Sequence, residues 1–345
     1  MFDQLIGNER VKDLLRRMLA SGRVPGALLF SGEEGVGKKQ FAMELARALN
    51  CLNRQGVEAC GTCSSCKRIS NFNLPTSDIT DDWKRVFWSN HGDVGIVVAP
   101  KRALLVDQMR DIEREANFRP FEGRARVFLV EDADRLNDAS SNALLKILEE
   151  PPPTSHIILI TSRPAMLLTT IRSRCQSVRF SPVAVDEIEN YLVRQKVASG
   201  SEAKLLARCA NGSIGRALYG DLASYKAHRQ PMMQVQSALA LTGDRTQLLR
   251  VAESMNEAKY KDDYEFRLEL LETLIRDALI LAVGGNEKSV VNEDVLPELR
   301  KISERVNTQN ATAWIAAIED LREQLIVNIN RKPATDALFL KMASA

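Results

Sequence analysis

A glycine-rich stretch that ends in two lysines constrains the fold of this chain more than any other feature. The sequence GEEGVGKK covers residues 32–39, after an apolar run at residues 27–30 and before the apolar stripe of Phe41, Leu45 and Leu49. Continuous apolar runs suit strands that are covered on both faces, and spacings of four suit one face of a helix. The order of strand, glycine-rich loop and helix therefore predicts an α/β layered domain.

The same loop predicts a phosphate site. Gly32, Gly35 and Gly37 precede Lys38, with the spacing glycine, four residues, glycine, lysine. Glycines let backbone N–H groups surround a phosphate at a helix N-terminus, and the lysine reaches its outer oxygens. The alternative is a glycine-rich turn that binds nothing.

The residue after Lys38 departs from the usual loop. Where such a loop works with Mg²⁺, a Ser or Thr hydroxyl follows the lysine as a metal ligand, whereas Lys39 offers a positive charge and no acceptor. The sequence therefore disfavours Mg²⁺ and hydrolysis at this loop. The Lys39 ammonium either takes the place of the metal near the phosphates or points into solvent.

Further apolar runs predict more strands of a buried parallel sheet: residues 96–98, 127–130 and 157–160. The second run leads into the acidic residues Glu131, Asp132 and Asp134. Carboxylates at the end of such a strand can hold Mg²⁺ and orient an attacking water. The alternative is that Asp132 or Asp134 only caps the following helix, at residues 137–150.

Four of the six cysteines form a cluster with the spacing C-x8-C-x2-C-x2-C: Cys51, Cys60, Cys63 and Cys66. Four thiolates satisfy the closed tetrahedral coordination of structural zinc, and a catalytic zinc is disfavoured because no ligand position is left for water. In a reducing compartment such clustering favours metal over disulfides. Four thiols without metal are the alternative.

The composition predicts two or three domains with proper cores. The chain has 345 residues, of which 45% are hydrophobic, and 47 Lys plus Arg stand against 45 Asp plus Glu. A net charge of +2 excludes a histone-like coating of nucleic acid. The longest apolar run, residues 278–283, is far shorter than the ~20 residues of a membrane span, and the first ten residues lack an apolar signal core. We therefore expect a cytoplasmic protein.

The domain boundaries follow from a change of pattern near residue 182, after which the sequence predicts helices alone. We expect an α/β domain at residues 1–180 with the cysteine module at 51–66, a small helical domain at 181–221 and a larger helical domain at 222–345. The aromatic segment from Trp83 to His91 reads as a loop-like insertion with its own packing cluster, and a contact with a partner is the alternative.

Together, these motifs resemble the clamp-loader branch of the AAA+ ATPases over essentially the whole chain. The resemblance is carried by FDQLIG at 2–7, the phosphate loop, the four cysteines, EDADRLN at 131–137, NALLKILEEPP at 142–152, RSRC at 172–175, GSIGRAL at 212–218 and a late helix with Asn328, Asn330 and residues 338–340. It implies an AAA+ phosphate-loop domain with a parallel sheet and an inserted zinc module, a small helical lid domain and an all-α C-terminal collar domain.

The resemblance also implies roles for single residues. Lys38 contacts nucleotide phosphates, Glu131 occupies the metal-ligand position and Asp132 the water-activating position. Thr161 or Ser162 is the polar sensor near the γ-phosphate.

The most consequential implied role belongs to Arg174, which in this family reaches across a subunit boundary into the neighbour's ATP site. There the cation neutralises charge that develops on the transferred phosphoryl group. The implied partners are gamma/tau and delta subunits in a hetero-oligomeric ring, the sliding clamp and primed DNA. The implied ligands are structural zinc and ATP or ADP.

Three departures from the family's motor subunits concern the chain's own site. Lys39 replaces the hydroxyl, and Glu131-Asp132 reverses the motors' Asp-Glu order. Gly215 stands where their nucleotide-sensing arginine stands, which leaves Arg216 about 100° away around the helix. These departures favour a non-motor subunit of a DNA polymerase holoenzyme with slow or absent turnover. The alternatives are an active motor of gamma/tau type and, more distantly, a small-metabolite phosphoryltransferase.

Overall fold

The computed structural model describes residues 1–75, 81–257, 263–326 and 329–344, so Asn328 lies outside the described residues. The chain forms two compact units. One comprises Met1–Tyr191 and Asn211–Leu218, and the other comprises Leu192–Ala210 and Tyr219–Ala345. Residues 181–221 are thus shared between the units, and the division into three domains stays a prediction.

A six-stranded sheet forms the centre of the first unit. Its strands are β1 (Ala27–Ser31), β2 (Phe87–Trp88), β3 (Val94–Val97), β4 (Arg126–Val130), β5 (Ser155–Thr161) and β6 (Gln176–Arg179). They are arranged in the order β2-β3-β4-β5-β1-β6, and all neighbours are parallel except β2 and β3. The four predicted apolar runs correspond to β1, β3, β4 and β5, which confirms the α/β class.

Both faces of the sheet are covered by helices. In chain order these are α1 (Glu9–Ser21), α2 (Lys38–Asn50), α3 (Ser64–Ile69), α4 (Val106–Ala116), α5 (Asp138–Glu149) and α6 (Thr169–Arg174); α7 (Val185–Arg194) follows, and its residues are divided between the two units. Every residue of β1 is buried, with Leu28 and Phe30 in one apolar core and Ala27 and Leu29 in the other. Successive side chains of a strand point to opposite faces, so a continuous apolar run is what a covered strand requires.

Two segments of the first unit differ from the sequence-based interpretation. Strand β6 was not predicted, because only Val178 of its four residues is buried. The aromatic segment is not a separate insertion, because Phe87 belongs to the main core and the Trp88 ring packs 5.6 Å from that of Phe128 on β4. The separate-insertion interpretation is therefore wrong, since these side chains complete the edge of the sheet.

The second unit is helical. The remaining helices of the chain are α8 (Gly200–Cys209), α9 (Ile214–Tyr219), α10 (Leu222–Ser237), α11 (Arg245–Met255), α12 (Tyr264–Ala282), α13 (Leu296–Ser303), α14 (Thr308–Ile326) and α15 (Arg331–Met342); all but α9 lie in this unit. Leu268, Leu271 and Ile275 of α12 lie in its apolar core. Buried Asp277 accepts hydrogen bonds from the backbone N–H groups of Val291 and Asn292, which ties the segment before α13 to α12. In the part of the chain that the structure describes, no helix combines the length and the apolar character of a membrane span.

Candidate functional site

The loop between β1 and α2 borders a cavity of about 200 Å³ at the carboxyl end of the sheet. Its lining includes most of the residues predicted for the nucleotide site: Gly35, Gly37, Lys38, Lys39, Glu131, Asp132 and Ser162. Pockets that enclose whole small molecules usually have volumes of roughly 300–1,000 Å³. The cavity therefore suits the phosphate end of a nucleotide better than a complete nucleotide.

Lys38 is folded back onto its own loop. Its Nζ donates hydrogen bonds to the backbone carbonyls of Gly32 and Glu33, each over 2.6 Å, and the residue is only 7% exposed. Burial lowers the pKa of Lys38. Because an ammonium has three N–H donors, two of them are already engaged within the loop.

Lys39 contacts the acidic residue predicted to hold the metal. Its Nζ lies 2.5 Å from Oε1 of Glu131, with 45% of the Lys39 side chain and 24% of the Glu131 side chain exposed. The contact is an ion pair without the geometry of a hydrogen bond. The ammonium thus lies beside the carboxylate, with nearly half of the Lys39 side chain exposed, and its place relative to a bound phosphate stays a prediction.

Asp134 contacts Thr161, which lines the cavity. It accepts a hydrogen bond from Thr161 Oγ1 over 2.6 Å and two from Arg163, over 3.0 and 2.7 Å. Burial on its own would raise the pKa of Asp134, but the hydrogen bonds from Thr161 and Arg163 outweigh it and hold the pKa below its ordinary value. The alternative that Asp134 caps the next helix is wrong, because Asn137 is the N-cap of α5.

Asp132 has an unusual backbone conformation for a residue other than glycine. Its φ of +47° lies in the left-handed region, and its carboxylate pairs with Arg135 over 3.3 Å. The side chain is 58% exposed. A residue other than glycine in this conformation destabilises the folded state by about 1–3 kcal/mol. Such residues tend to occur at functional sites, where the surrounding structure holds them in place. Asp132 borders the cavity but is largely in contact with solvent.

The segment that contains Gly215 packs directly on the phosphate loop. The Gly215 N–H donates a hydrogen bond to the Gly35 carbonyl over 2.9 Å, and a Cβ on Gly215 would lie 3.1 Å from the Gly35 Cα. Gly35 has φ +76°, and a Cβ there would overlap with Oγ of buried Ser213. Arg216 is exposed and its backbone N–H is bonded to Ser213 Oγ. Glycine at 215 thus permits a close backbone contact that the Cβ of any other residue would crowd.

Arg174 is the last residue of α6, outside this cavity. Its Nη1 donates to the Thr170 carbonyl over 3.0 Å, and its Nη2 pairs with Oε1 of Glu149 over 2.8 Å. The Arg174 side chain is 35% exposed. The guanidinium is therefore held at the surface by one backbone and one side-chain partner.

The four clustered cysteines lie close enough to share one metal ion. Their sulfur atoms are all within 4.8 Å of one another, and the Sγ atoms of Cys51 and Cys63 are 3.9 Å apart. Tetrahedral coordination with Zn–S bonds of about 2.3 Å requires sulfurs roughly 3.8 Å apart. Backbone N–H groups of Cys63 and Thr62 lower the pKa of Cys60 to about 6, whereas burial raises that of Cys66. Cys175 and Cys209 lie elsewhere, and burial raises the pKa of each.

Sequence reasoning missed two residues that contact the predicted ones, Arg163 and Glu149. Both lie in or beside stretches that the sequence analysis singles out: Arg163 comes directly after Ser162, and Glu149 belongs to the NALLKILEEPP stretch. Neither position carries a local signal for its partner, because each contact joins elements that are distant in sequence.

Two family models match the chain. The model described as "DNA polymerase III, delta subunit" matches residues 7–184, and the one described as "DNA polymerase III, delta subunit, C terminal" matches residues 227–333.

Curated relatives lead to the same family. The delta' subunit of DNA polymerase III from Bacillus subtilis is 27% identical, with 96% of this chain and 95% of that protein covered. The delta' subunit from Escherichia coli is 30% identical, with 93% and 90% covered. The tau subunit from Escherichia coli is 34% identical over 74% of this chain, but only 38% of tau is covered. The chain therefore belongs to the delta-prime family of DNA polymerase III clamp-loader subunits.

Proposed function

We propose that this chain is a non-motor subunit of the clamp loader, which lends Arg174 to the ATP site of a neighbouring subunit and turns over little or no ATP itself. The proposal that the chain itself turns over little or no ATP rests on the 2.5 Å ion pair between Lys39 Nζ and Glu131 Oε1. An ammonium beside the carboxylate expected to bind Mg²⁺ supplies the positive charge that the ion would otherwise bring.

The other groups of the chain's own site support the same proposal. Lys38 donates to Gly32 and Glu33, and the Thr161 hydroxyl donates to Asp134. A phosphoryl-transfer site needs a lysine, a metal and a polar sensor that face the γ-phosphate together. Here Lys38 and the Thr161 hydroxyl each contact a residue of the same chain, so a bound phosphate would have to replace those contacts.

The residues at the loop do not suit magnesium. Mg²⁺ requires oxygen ligands at about 2.0–2.1 Å in octahedral geometry, and position 39 supplies an ammonium instead of a hydroxyl. The loop itself retains backbone N–H groups at the start of α2, which suit a phosphate without a metal. ADP or ATP held weakly through its phosphates is thus compatible with this site, whereas rapid hydrolysis is not.

Arg174 is suited to act in a neighbour's site. It ends a helix at the protein surface, and a guanidinium carries five N–H donors, of which one is hydrogen-bonded to the Thr170 carbonyl, while Nη2 forms an ion pair with Glu149. The remaining donors can stabilise charge on a transferred phosphoryl group, a contribution on the order of 10³–10⁵ in rate for arginines supplied in trans.

The proposed assembly follows the family. The gamma/tau and delta subunits would share a ring with this chain, with the helical residues 222–345 in a collar, and the ring would act on the sliding clamp and primed DNA in the cytoplasm. We propose zinc as the ion of the four-cysteine cluster, where it would act as a structural cross-link for the polar segment between α2 and α3.

The test is the ATPase of the assembled clamp loader with clamp and primed DNA. Arg174→Ala should lower kcat by at least 10²-fold, whereas Arg172→Ala, on the same exposed helix, should leave it within about twofold. If Arg174→Ala left the stimulated rate unchanged in a complex that still assembles, the trans role would have to be withdrawn.

A further inference from the structure

The end of α5 faces the arginine proposed to act in trans. Glu149 is the last residue of α5, and its Oε1 lies 2.8 Å from Nη2 of Arg174. Helix α5 ends here because the residue before Pro151 is driven out of helical geometry, and Glu150 indeed has φ −134° and ψ +69°. The proline thereby fixes where the Glu149 carboxylate leaves the helix.

The two helices that carry this pair are joined by a common core. Leu144 and Ile147 of α5 belong to the same apolar cluster as Ile171 of α6 and Cys175. The backbone positions of Glu149 and Arg174 are therefore set by buried packing of the helices that carry them.

The ion pair does little for stability. The side chains of Glu149 and Arg174 are 51% and 35% exposed, and exposed ion pairs contribute only about 0–1 kcal/mol. A pair with little energetic value can still select one of the many rotamers of a long arginine side chain. If the arginine no longer kept this rotamer, its guanidinium would be misplaced relative to the phosphoryl group that it must contact. A misplacement of ~1 Å can lower a reaction rate about 10²-fold.

We propose that Glu149 is a positioning residue for Arg174: its carboxylate and the Thr170 carbonyl hold the guanidinium in the orientation that meets the neighbour's γ-phosphate. This inference rests on the proposed trans role of Arg174. The Thr170 carbonyl takes one N–H of Nη1, the Glu149 carboxylate holds Nη2 in an ion pair, and the other donors are left for phosphate oxygens. Through Glu149, the NALLKILEEPP stretch would thus help to position the arginine that acts in the neighbour's ATP site.

The experiment uses the assembled clamp loader, with steady-state ATP hydrolysis measured in the presence of clamp and primed DNA. Glu149→Ala should lower kcat about tenfold and leave the KM for ATP within about twofold, because the substrate's own binding loop is in the other subunit. Glu149→Gln keeps an acceptor for Arg174 and should restore kcat to within about threefold of wild type. Glu150→Ala, which removes the next carboxylate on the chain, is the matched control and should have no effect.

A second background separates positioning from a structural role. In complexes that carry Arg174→Ala, the further change Glu149→Ala should lower kcat no more, because there is no guanidinium left to orient. An additional loss in that background, an unchanged kcat in Glu149→Ala alone, or a faster Glu149→Ala complex would each overturn the inference. If Arg174→Ala itself had no effect, the proposed trans role would fail instead, so the two failures are distinguishable.

Discussion

The ammonium of Lys39 lies 2.5 Å from the carboxylate of Glu131, so a lysine of the phosphate loop is paired with the acidic residue at the end of β4. In a working phosphate-loop site these two positions meet through a metal ion. A direct ion pair between them occupies both groups at once. The lysine at position 39, where a metal-binding loop has a hydroxyl residue, thus places an ammonium beside this carboxylate.

Restoring the hydroxyl should restore part of the metal site. Lys39→Thr removes the ammonium from Glu131 and supplies an oxygen ligand, so we expect ATP to bind at least tenfold more tightly with Mg²⁺ than without it, as measured by titration calorimetry. Lys39→Ala frees Glu131 without supplying the ligand and should show a smaller Mg²⁺ dependence. Equal affinities with and without Mg²⁺ in Lys39→Thr would contradict this explanation of the site.

The contact between the phosphate loop and residues 213–215 predicts a stability effect. Gly35→Ala would place a Cβ against Ser213 Oγ at φ +76°, so we expect a loss of about 2–4 kcal/mol in the free energy of unfolding from urea titrations. Gly22→Ala is the matched control, since its φ is +66° and a Cβ there meets nothing within 4 Å. It should cost only the backbone strain of about 1–2 kcal/mol. If the two variants lost equal amounts of unfolding free energy, the overlap with Ser213 would make no contribution and the prediction would be wrong.

The hydrogen bonds to Asp134 predict a dependence of stability on pH. The pKa of Asp134 is held below its ordinary value of 3.8, so its ionised form stabilises the folded state above about pH 4, and that contribution is lost as the pH falls through the lower folded-state pKa. Asp134→Asn should therefore lower the free energy of unfolding by about 1–3 kcal/mol at pH 7 and by less below pH 4. A difference that stays constant down to pH 3 would contradict the assignment. Arg163→Ala, at an exposed position, should cost less.

Metal analysis tests the cysteine cluster. Protein purified without chelator should contain about one equivalent of zinc, and Cys60→Ser or Cys66→Ser should reduce it to below about half an equivalent. Cys175→Ser changes a buried cysteine outside the cluster and should leave the zinc content unchanged. Removal of zinc should also lower the melting temperature, because binding energy at a structural site is folding energy. A wild-type chain without bound metal would refute the zinc site.

The sequence predicts those parts of the structure that depend on local pattern. Each of three features follows from residues that are close in sequence: the phosphate loop, the four buried strands and the four cysteines. In the structure the strands pair in one sheet, the loop borders a cavity and the cysteine sulfurs cluster. Strand β6 is not predicted from the sequence, because this edge strand has one buried residue, Val178, and lacks the apolar run by which the other strands are recognised.

The partners of the site residues could not be predicted in the same way. The contact between Thr161 and Asp134 depends on where the ends of β5 and β4 lie beside each other, and the contact between Glu149 and Arg174 depends on the packing of α5 against α6. Such pairings are set by tertiary register, which a single sequence does not encode in any short stretch. For Lys39 the sequence left two alternatives open, because the position of Glu131 relative to the loop follows from the sheet order.

The most direct test of the central claim is steady-state phosphate release by the isolated chain at saturating ATP and Mg²⁺. Because the Lys39 ammonium lies against Glu131, the carboxylate proposed to bind the metal, we expect a rate indistinguishable from that of Lys38→Ala. Turnover by the isolated chain at the rate of a motor subunit, abolished by Lys38→Ala, would contradict the account.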